Sequence, residues 1–267
     1  MFLTKKSLKK ILALVITYDV VATVFIAFWM FFRAIGETSN LLLFIGIIMF
    51  LLSFLFFFWG RYAEGKGKLV SLGLKLVRKE LKPAEFIKHY DTLMNSDDLI
   101  IKKPSYDVLA LLMLAYDSLG NAEKVFETID QAIEVAKGKK KNTAKLLKVA
   151  SLFTYSRVAE AEALFNEIRN QDLDIMSKSM VDMILKDERA MAIGDYKTVE
   201  AHSLNLLETS FPKPDNITKL FIHYTLGKVY EKQNEPQKAI EHYEYCANFG
   251  GETAKRETAI ERLKQLK

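Results

Sequence analysis

The side chains of this chain that could do chemistry are few and scattered. Its four histidines, His89, His202, His223 and His242, fall at no metal-ligand spacing such as His-Glu-x-x-His, so no metal is expected. The single cysteine, Cys246, excludes an internal disulfide and any cysteine-based zinc finger. There is no Walker A loop, no Gly-x-Gly-x-x-Gly and no Gly-x-Ser-x-Gly. Asp and Glu are plentiful but spaced as solvated helix faces. The expectation is a protein that is not an enzyme and carries no cofactor. One carboxyl stands apart: Asp19 lies inside an apolar run. It would be a proton- or ion-linked group or a contact to a partner helix, unless it simply faces a neighbouring span or reaches the interface.

The elements that must position these groups begin with two apolar runs. Residues 11–32 are a 22-residue stretch broken only by Asp19, and residues 41–59 are a 19-residue stretch without charge. Each is long enough, at about 1.5 Å of rise per residue, for a helix to cross a hydrocarbon core of ~30 Å. The first is too long for a signal-peptide core and lacks a small-residue cleavage site. The short connection between them predicts an antiparallel transmembrane hairpin. Four Lys precede it, Arg33 alone lies in the loop, and Arg61, Lys66, Lys68, Lys75, Arg78 and Lys79 follow. The positive-inside bias places both ends in the cytoplasm and suits an integral protein of a bacterial cell membrane. Residues 1–65 are thus read as an anchor and 66–267 as a separate domain.

Beyond Lys66 no convincing strand pattern is found, and amphipathic helical stretches alternate with turn residues. Leu109, Leu112, Met113, Tyr116 and Leu119 precede a turn at Gly120-Asn121, and Val125, Phe126, Ile129, Ala132 and Ile133 follow it. Comparable turns fall at Lys82-Pro83, Ser156, Gly194-Asp195 and Asn234-Glu235, so the helical hairpin recurs. In the last copy Leu226, Gly227 and Tyr230 lie before the turn, and Ala239 and Tyr243 after it. Small residues at Gly227 and Ala239 allow close helix approach, and the tyrosines fill the space beside them.

This pattern resembles the tetratricopeptide repeat, whose first helix carries Leu-Gly-x-x-Tyr and whose second carries a small residue and then an aromatic four positions on. The resemblance is clearest in the last copy. The turn spacing here, 38, 36, 38 and 40 residues, is longer than the family's period. It implies an all-α chain: the transmembrane hairpin, then an α-solenoid of about five helical hairpins with a C-terminal capping helix. It also implies a concave groove that binds a segment or helix of a partner protein. Carried over copy by copy, the groove positions are Leu114 and Asp117, Leu146 and Phe153, Ile184, Glu188 and Met191, and Phe221, Tyr224 and Lys228. Packing between repeats is the plainer role open to each of these. The chaperone-type carboxylate clamp is not recognisable, and the largely apolar set favours an apolar helix or extended segment.

The charge is only +5, and basic residues without interleaved exposed aromatics give no nucleic-acid site. Residues 66–88 hold seven basic and two acidic side chains, so Lys66, Lys68, Lys75, Arg78 and Lys79 are expected near anionic head groups. The run at 137–141 reads as a solvated inter-repeat loop, with an acidic partner or a lipid surface as the alternative. The expected function is a membrane-anchored adaptor or scaffold. The alternatives are a transport or channel subunit that uses Asp19, or a peptide-sensing signalling protein.

Overall fold

The structure, a computed structural model, describes residues 2–4, 29–30, 33, 67–96, 99–169, 173, 175–208 and 213–267. Asp19, Lys66 and nearly all of the two apolar runs lie outside them. Among the described residues no helix is long and apolar enough to cross a membrane. The chain divides into two compact units, Met1–Leu69 with Thr92–Pro104, and Val70–Asp91 with Ser105–Lys267.

In the first unit the Arg33 guanidinium lies 5.1 Å from the centre of the Trp29 ring. Strand β1 (Phe2–Thr4) pairs antiparallel with β2 (Leu99–Lys102), Phe2 opposite Lys102, with an irregularity between Leu3 and Thr4. The expectation of no strand beyond Lys66 is corrected here. Leu99-Ile100-Ile101 is apolar with two β-branched residues, and Asp97-Asp98 and Pro104 leave it too short for a helix.

The second unit is all-helical. It holds α1 (67–79) from Val70 onward, α2 (Pro83–Met94) as far as Asp91, α3 (Tyr106–Ser118), α4 (Ala122–Val135), α5 (Lys139–Thr154), α6 (Val158–Ile168), α7 (175–193), α8 (Tyr196–Glu208), α9 (Asn216–Lys232), α10 (Pro236–Phe249) and α11 (Ala254–Leu266). Consecutive pairs form five hairpins, and α11 stands alone at the end. The turns share one construction. Each contains a residue with left-handed backbone: Leu81 (φ 55°), Gly120 (71°), Ser156 (61°), Gly194 (82°) and Asn234 (60°). The second helix starts two residues later every time. A backbone N–H reaches back to the fifth preceding carbonyl in four of them: Asn121 to Tyr116, Arg157 to Leu152, Asp195 to Ala190, and Glu235 to Tyr230. This is the closure that satisfies the last carbonyls of a helix. In the first hairpin the bond runs from Lys82 to Leu76, one residue further, because Leu74–Lys79 winds as a π-helical turn. A second π-helical segment, Ile184–Arg189, lies inside α7.

Apolar faces bury between the helices. Leu226, Gly227, Tyr230, Ala239 and Tyr243 are all buried, and a Cβ on Gly227 would meet the Tyr243 ring at 2.7 Å. Gly73 of α1 makes the same kind of approach to Phe86 of α2, at 2.9 Å. Residues Leu146, Val149, Leu152, Phe153, Ala161, Phe165, Ile168 and Ile184 form a core that joins the third hairpin to the fourth.

The row of hairpins closes on itself. Leu81, in the first turn, is buried in a cluster with Ile217, Leu220, Leu226, Tyr243 and Ala259. Its carbonyl accepts the Glu252 N–H at 2.9 Å, Arg78 pairs with Asp215 at 2.7 Å, and the Asn216 amide donates to the Lys79 carbonyl at 2.6 Å. Of the basic residues singled out in the sequence, Arg78 thus pairs with Asp215, and Lys75 lies 3.5 Å from Glu80. Gly251 carries φ 59°, and a Cβ there would lie 2.6 Å from the Leu81 carbonyl oxygen. Gly251→Ala is therefore expected to destabilise the unit by about 2–4 kcal/mol, through left-handed strain plus overlap, as measured by thermal melting followed by circular dichroism.

Candidate functional site

Where alternate helices converge, their side chains form a face of paired and unpaired charges. Asp117, at the end of α3, is largely buried and accepts a hydrogen bond from the Tyr155 hydroxyl at 3.0 Å. It also pairs with Lys255 of α11 at 3.4 Å. The Lys255 ammonium sits 3.9 Å from the centre of the Phe221 ring and 6.0 Å from that of Tyr224. A desolvated ammonium over aromatic faces gains on the order of 1–2 kcal/mol, which helps hold Lys255 in place. Glu231 of α9 is engaged by both arms of Arg262 from α11, at 2.8 and 2.5 Å. These two carboxylates are neutralised by the last helix.

Glu188 and Lys228 are not. Among the described residues neither has an ion-pair partner within 4.0 Å. Glu188 lies in the π-helical segment of α7 and accepts one hydrogen bond, from the Thr154 hydroxyl at 2.9 Å. Burial pushes its carboxyl up to about 7, the Thr154 bond opposes this, Asp187 and Asp117 add to it, and Lys228 lowers it. Burial likewise depresses the Lys228 ammonium, with Glu188 opposing. The Lys228 side chain stays exposed to water despite the protein around it. Both groups thus pay part of their desolvation without a matching contact.

The face differs from the one expected. Asp117, Glu188 and Lys228 do converge, with Phe221 and Tyr224 beside them. Leu146, Phe153 and Ile184 do not reach it: they are buried in the core between hairpins, the packing role that the sequence also left open to them. Leu114 packs against the fifth hairpin's core, and Met191 against Ala190, Val199 and Val229. Thr154, Tyr155, Lys255 and Arg262 were missed. Lys255 and Arg262 belong to the terminal helix, whose charge density reads as a solvated cap; only its place as the next helix in the alternation signals an inward face.

The remaining titratable groups lie elsewhere. His223 and His242 share a hydrogen bond between Nδ1 atoms, 2.9 Å apart, with Tyr245 stacked on His223 at 3.7 Å and Tyr230 on His242 at 5.4 Å. One ring must donate and the other accept, so both cannot be protonated together. Burial, then His242 and Lys219, push His223 down to about 4. His202 bonds Asp187 at 2.6 Å. Cys246 is buried, and burial raises its thiol to about 12, which leaves it unreactive. No group of three or more His, Cys, Asp and Glu that could hold a metal occurs among the described residues.

Two outcomes follow from these shifts. Because the Glu188 value exceeds the usual 4.5, its burial favours folding below that pH and disfavours it as pH rises through about 7. Glu188→Gln should therefore raise stability above pH 7 by about 1–2 kcal/mol and leave it nearly unchanged at low pH, in melts across that range. His223 has the opposite sign. Its neutral form adds stability above about 6.5 that is lost as pH falls toward about 4. His223→Phe should flatten the melting temperature across that window.

No protein-family model matches the chain, and neither the curated proteins nor the solved structures contain a significant match to it.

Proposed function

We propose that this chain is a membrane-anchored scaffold of the tetratricopeptide type, an α-solenoid of helical hairpins that holds a segment of a partner protein at the cytoplasmic face. Two transmembrane spans, 11–32 and 41–59, would supply the anchor. Confinement to the membrane raises the effective concentration of the array for membrane-bound partners. The apolar length of the two runs and the lysine and arginine bias support the anchor. The repeated left-handed turn, the hairpin alternation and the Gly227–Tyr243 approach support the repeat assignment.

One observation carries the binding role: Glu188 and Lys228 remain without an ion-pair partner beside Asp117 and Glu231, which are paired with Lys255 and Arg262. An extended polypeptide offers both complements, N–H groups for the carboxylate and C=O groups for the ammonium. Such contacts recover the desolvation that the free protein bears. A segment held in this way would be recognised through polar groups, with Phe221 and Tyr224 as the flanking apolar contacts.

Crosslinking in native membranes, followed by identification of the captured proteins, tests this. Glu188→Lys and Lys228→Glu should each reduce capture of the same partner by tenfold or more, at about 1.4 kcal/mol per decade, with the helical signal retained. A captured set that neither change alters would remove the binding face from this account.

A further inference from the structure

We propose that His223 and His242 form a two-imidazole site for a divalent late transition-metal ion, copper(II) foremost, held between α9 and α10. The site is independent of the anchor and of the charged face.

The two histidines lie 19 positions apart on different helices, so their spacing along the chain carries no ligand signature. The fold brings them together. On α9 His223 follows the buried Ile222, and on α10 His242 precedes the buried Tyr243. Gly227, one turn beyond His223, lets the Tyr243 ring approach so closely that a Cβ would meet it at 2.7 Å. That contact fixes the separation of the two helices beside the imidazoles. Tyr245 stacks on His223 at 3.7 Å, and Tyr230 lies parallel to His242 at 5.4 Å. Ligands carried on helices, with each ring backed by another ring, are positioned before an ion arrives.

The Nδ1 atoms are 2.9 Å apart and the ring centres 5.1 Å apart. Both nitrogens therefore occupy the space between the rings. In the free protein that space holds a single proton, donated by one imidazole to the lone pair of the other. An ion takes both lone pairs instead. The donor ring's proton passes through water from Nδ1 to Nε2 of the same ring, so the pair stays neutral and the charge gained is that of the ion alone.

The spacing selects the ion. Two nitrogens at about 2.0–2.1 Å from one centre and at right angles lie about 2.9 Å apart, whereas the tetrahedral angle sets them about 3.3 Å apart. Right angles belong to the square-planar and tetragonal geometry of copper(II) and nickel(II), and copper(II) is the tightest bound of the divalent first-row ions. Seating the ion turns each lone pair from its neighbour toward a shared point beside the pair, with the nitrogen separation unchanged. Both rings are half-buried, so water completes the coordination, as in an open site. The charged neighbours oppose one another: Lys219 acts on His223 and Glu241 on His242. The other two histidines form no such pair, since His202 bonds Asp187 at 2.6 Å and His89 lies 3.8 Å from Glu85. A bound ion clamps α9 to α10 in the hairpin against which Leu81 is seated.

The test titrates the full chain in detergent micelles with Cu2+, and with Mg2+ as a hard-ion control. One equivalent of Cu2+ should bind at low micromolar concentration and raise the melting temperature by several degrees. Its electron paramagnetic resonance spectrum should show coupling to two imidazole nitrogens. Mg2+ should produce no shift. His223→Phe and His242→Phe keep a flat ring against the tyrosines. Each should weaken Cu2+ binding by ~100-fold or more, the upper range for losing even an outer partner of a ligand, and remove the two-nitrogen coupling. His89→Gln should alter neither readout. Binding that survives both phenylalanine variants overturns the proposal. So does a native-chain spectrum without two imidazole nitrogens, a readout that needs no variant to fold.

Discussion

The contact on which the array depends is the seating of Leu81 against the fifth hairpin. Leu81 occupies a left-handed conformation that a branched side chain adopts only at a cost of about 1–2 kcal/mol. The cost is met because its side chain is buried among Ile217, Leu220 and Ala259 while its carbonyl accepts the Glu252 N–H. Only glycine fits opposite it, at Gly251. This closure joins residues more than a hundred positions apart, and it brings the α3 and α11 ends together so that Asp117 reaches Lys255.

Closure also decides the chemistry of the inner face. An open row of hairpins would leave that face broad and accessible, suited to an apolar helix. Drawn together, the same helices partly desolvate Glu188 and Lys228 and leave them with opposed, unmatched demands. Desolvation without pairing is what marks these two residues out from the many surface Glu and Lys of the chain. The aromatic stack of Tyr230, His242, His223 and Tyr245 lies on a different part of the fifth hairpin and reports acidity through packing.

Much of the fold was legible locally. Gly120-Asn121, Gly194-Asp195 and Asn234-Glu235 announce turns because they tolerate positive φ, and the helical period on either side is strong. Ser156 carried a weaker signal and Leu81 none, since nothing in its residue type suggests a left-handed turn. Helix-period apolar residues identify a core without saying which face of which hairpin covers it. For that reason Leu146, Phe153 and Ile184 read equally well as groove and as interior. Contacts between Leu81 and Ile217, or Asp117 and Lys255, have no local signature at all. The short ribbon at Leu99–Lys102 escaped notice because its strand partner lies near residue 2, far outside any local window.

The π-helical segment in α7 has a consequence of its own. An inserted residue rotates everything after it by about 100° about the helix axis. Glu188 lies within that segment, whereas Ile184, at its opening, points into the core. The π-helical turn thus lets Ile184 pack in the core while Glu188, four residues on, accepts the Thr154 hydroxyl. Gaining or losing a single residue there would turn Glu188 toward other neighbours, with no side chain exchanged and every turn left intact.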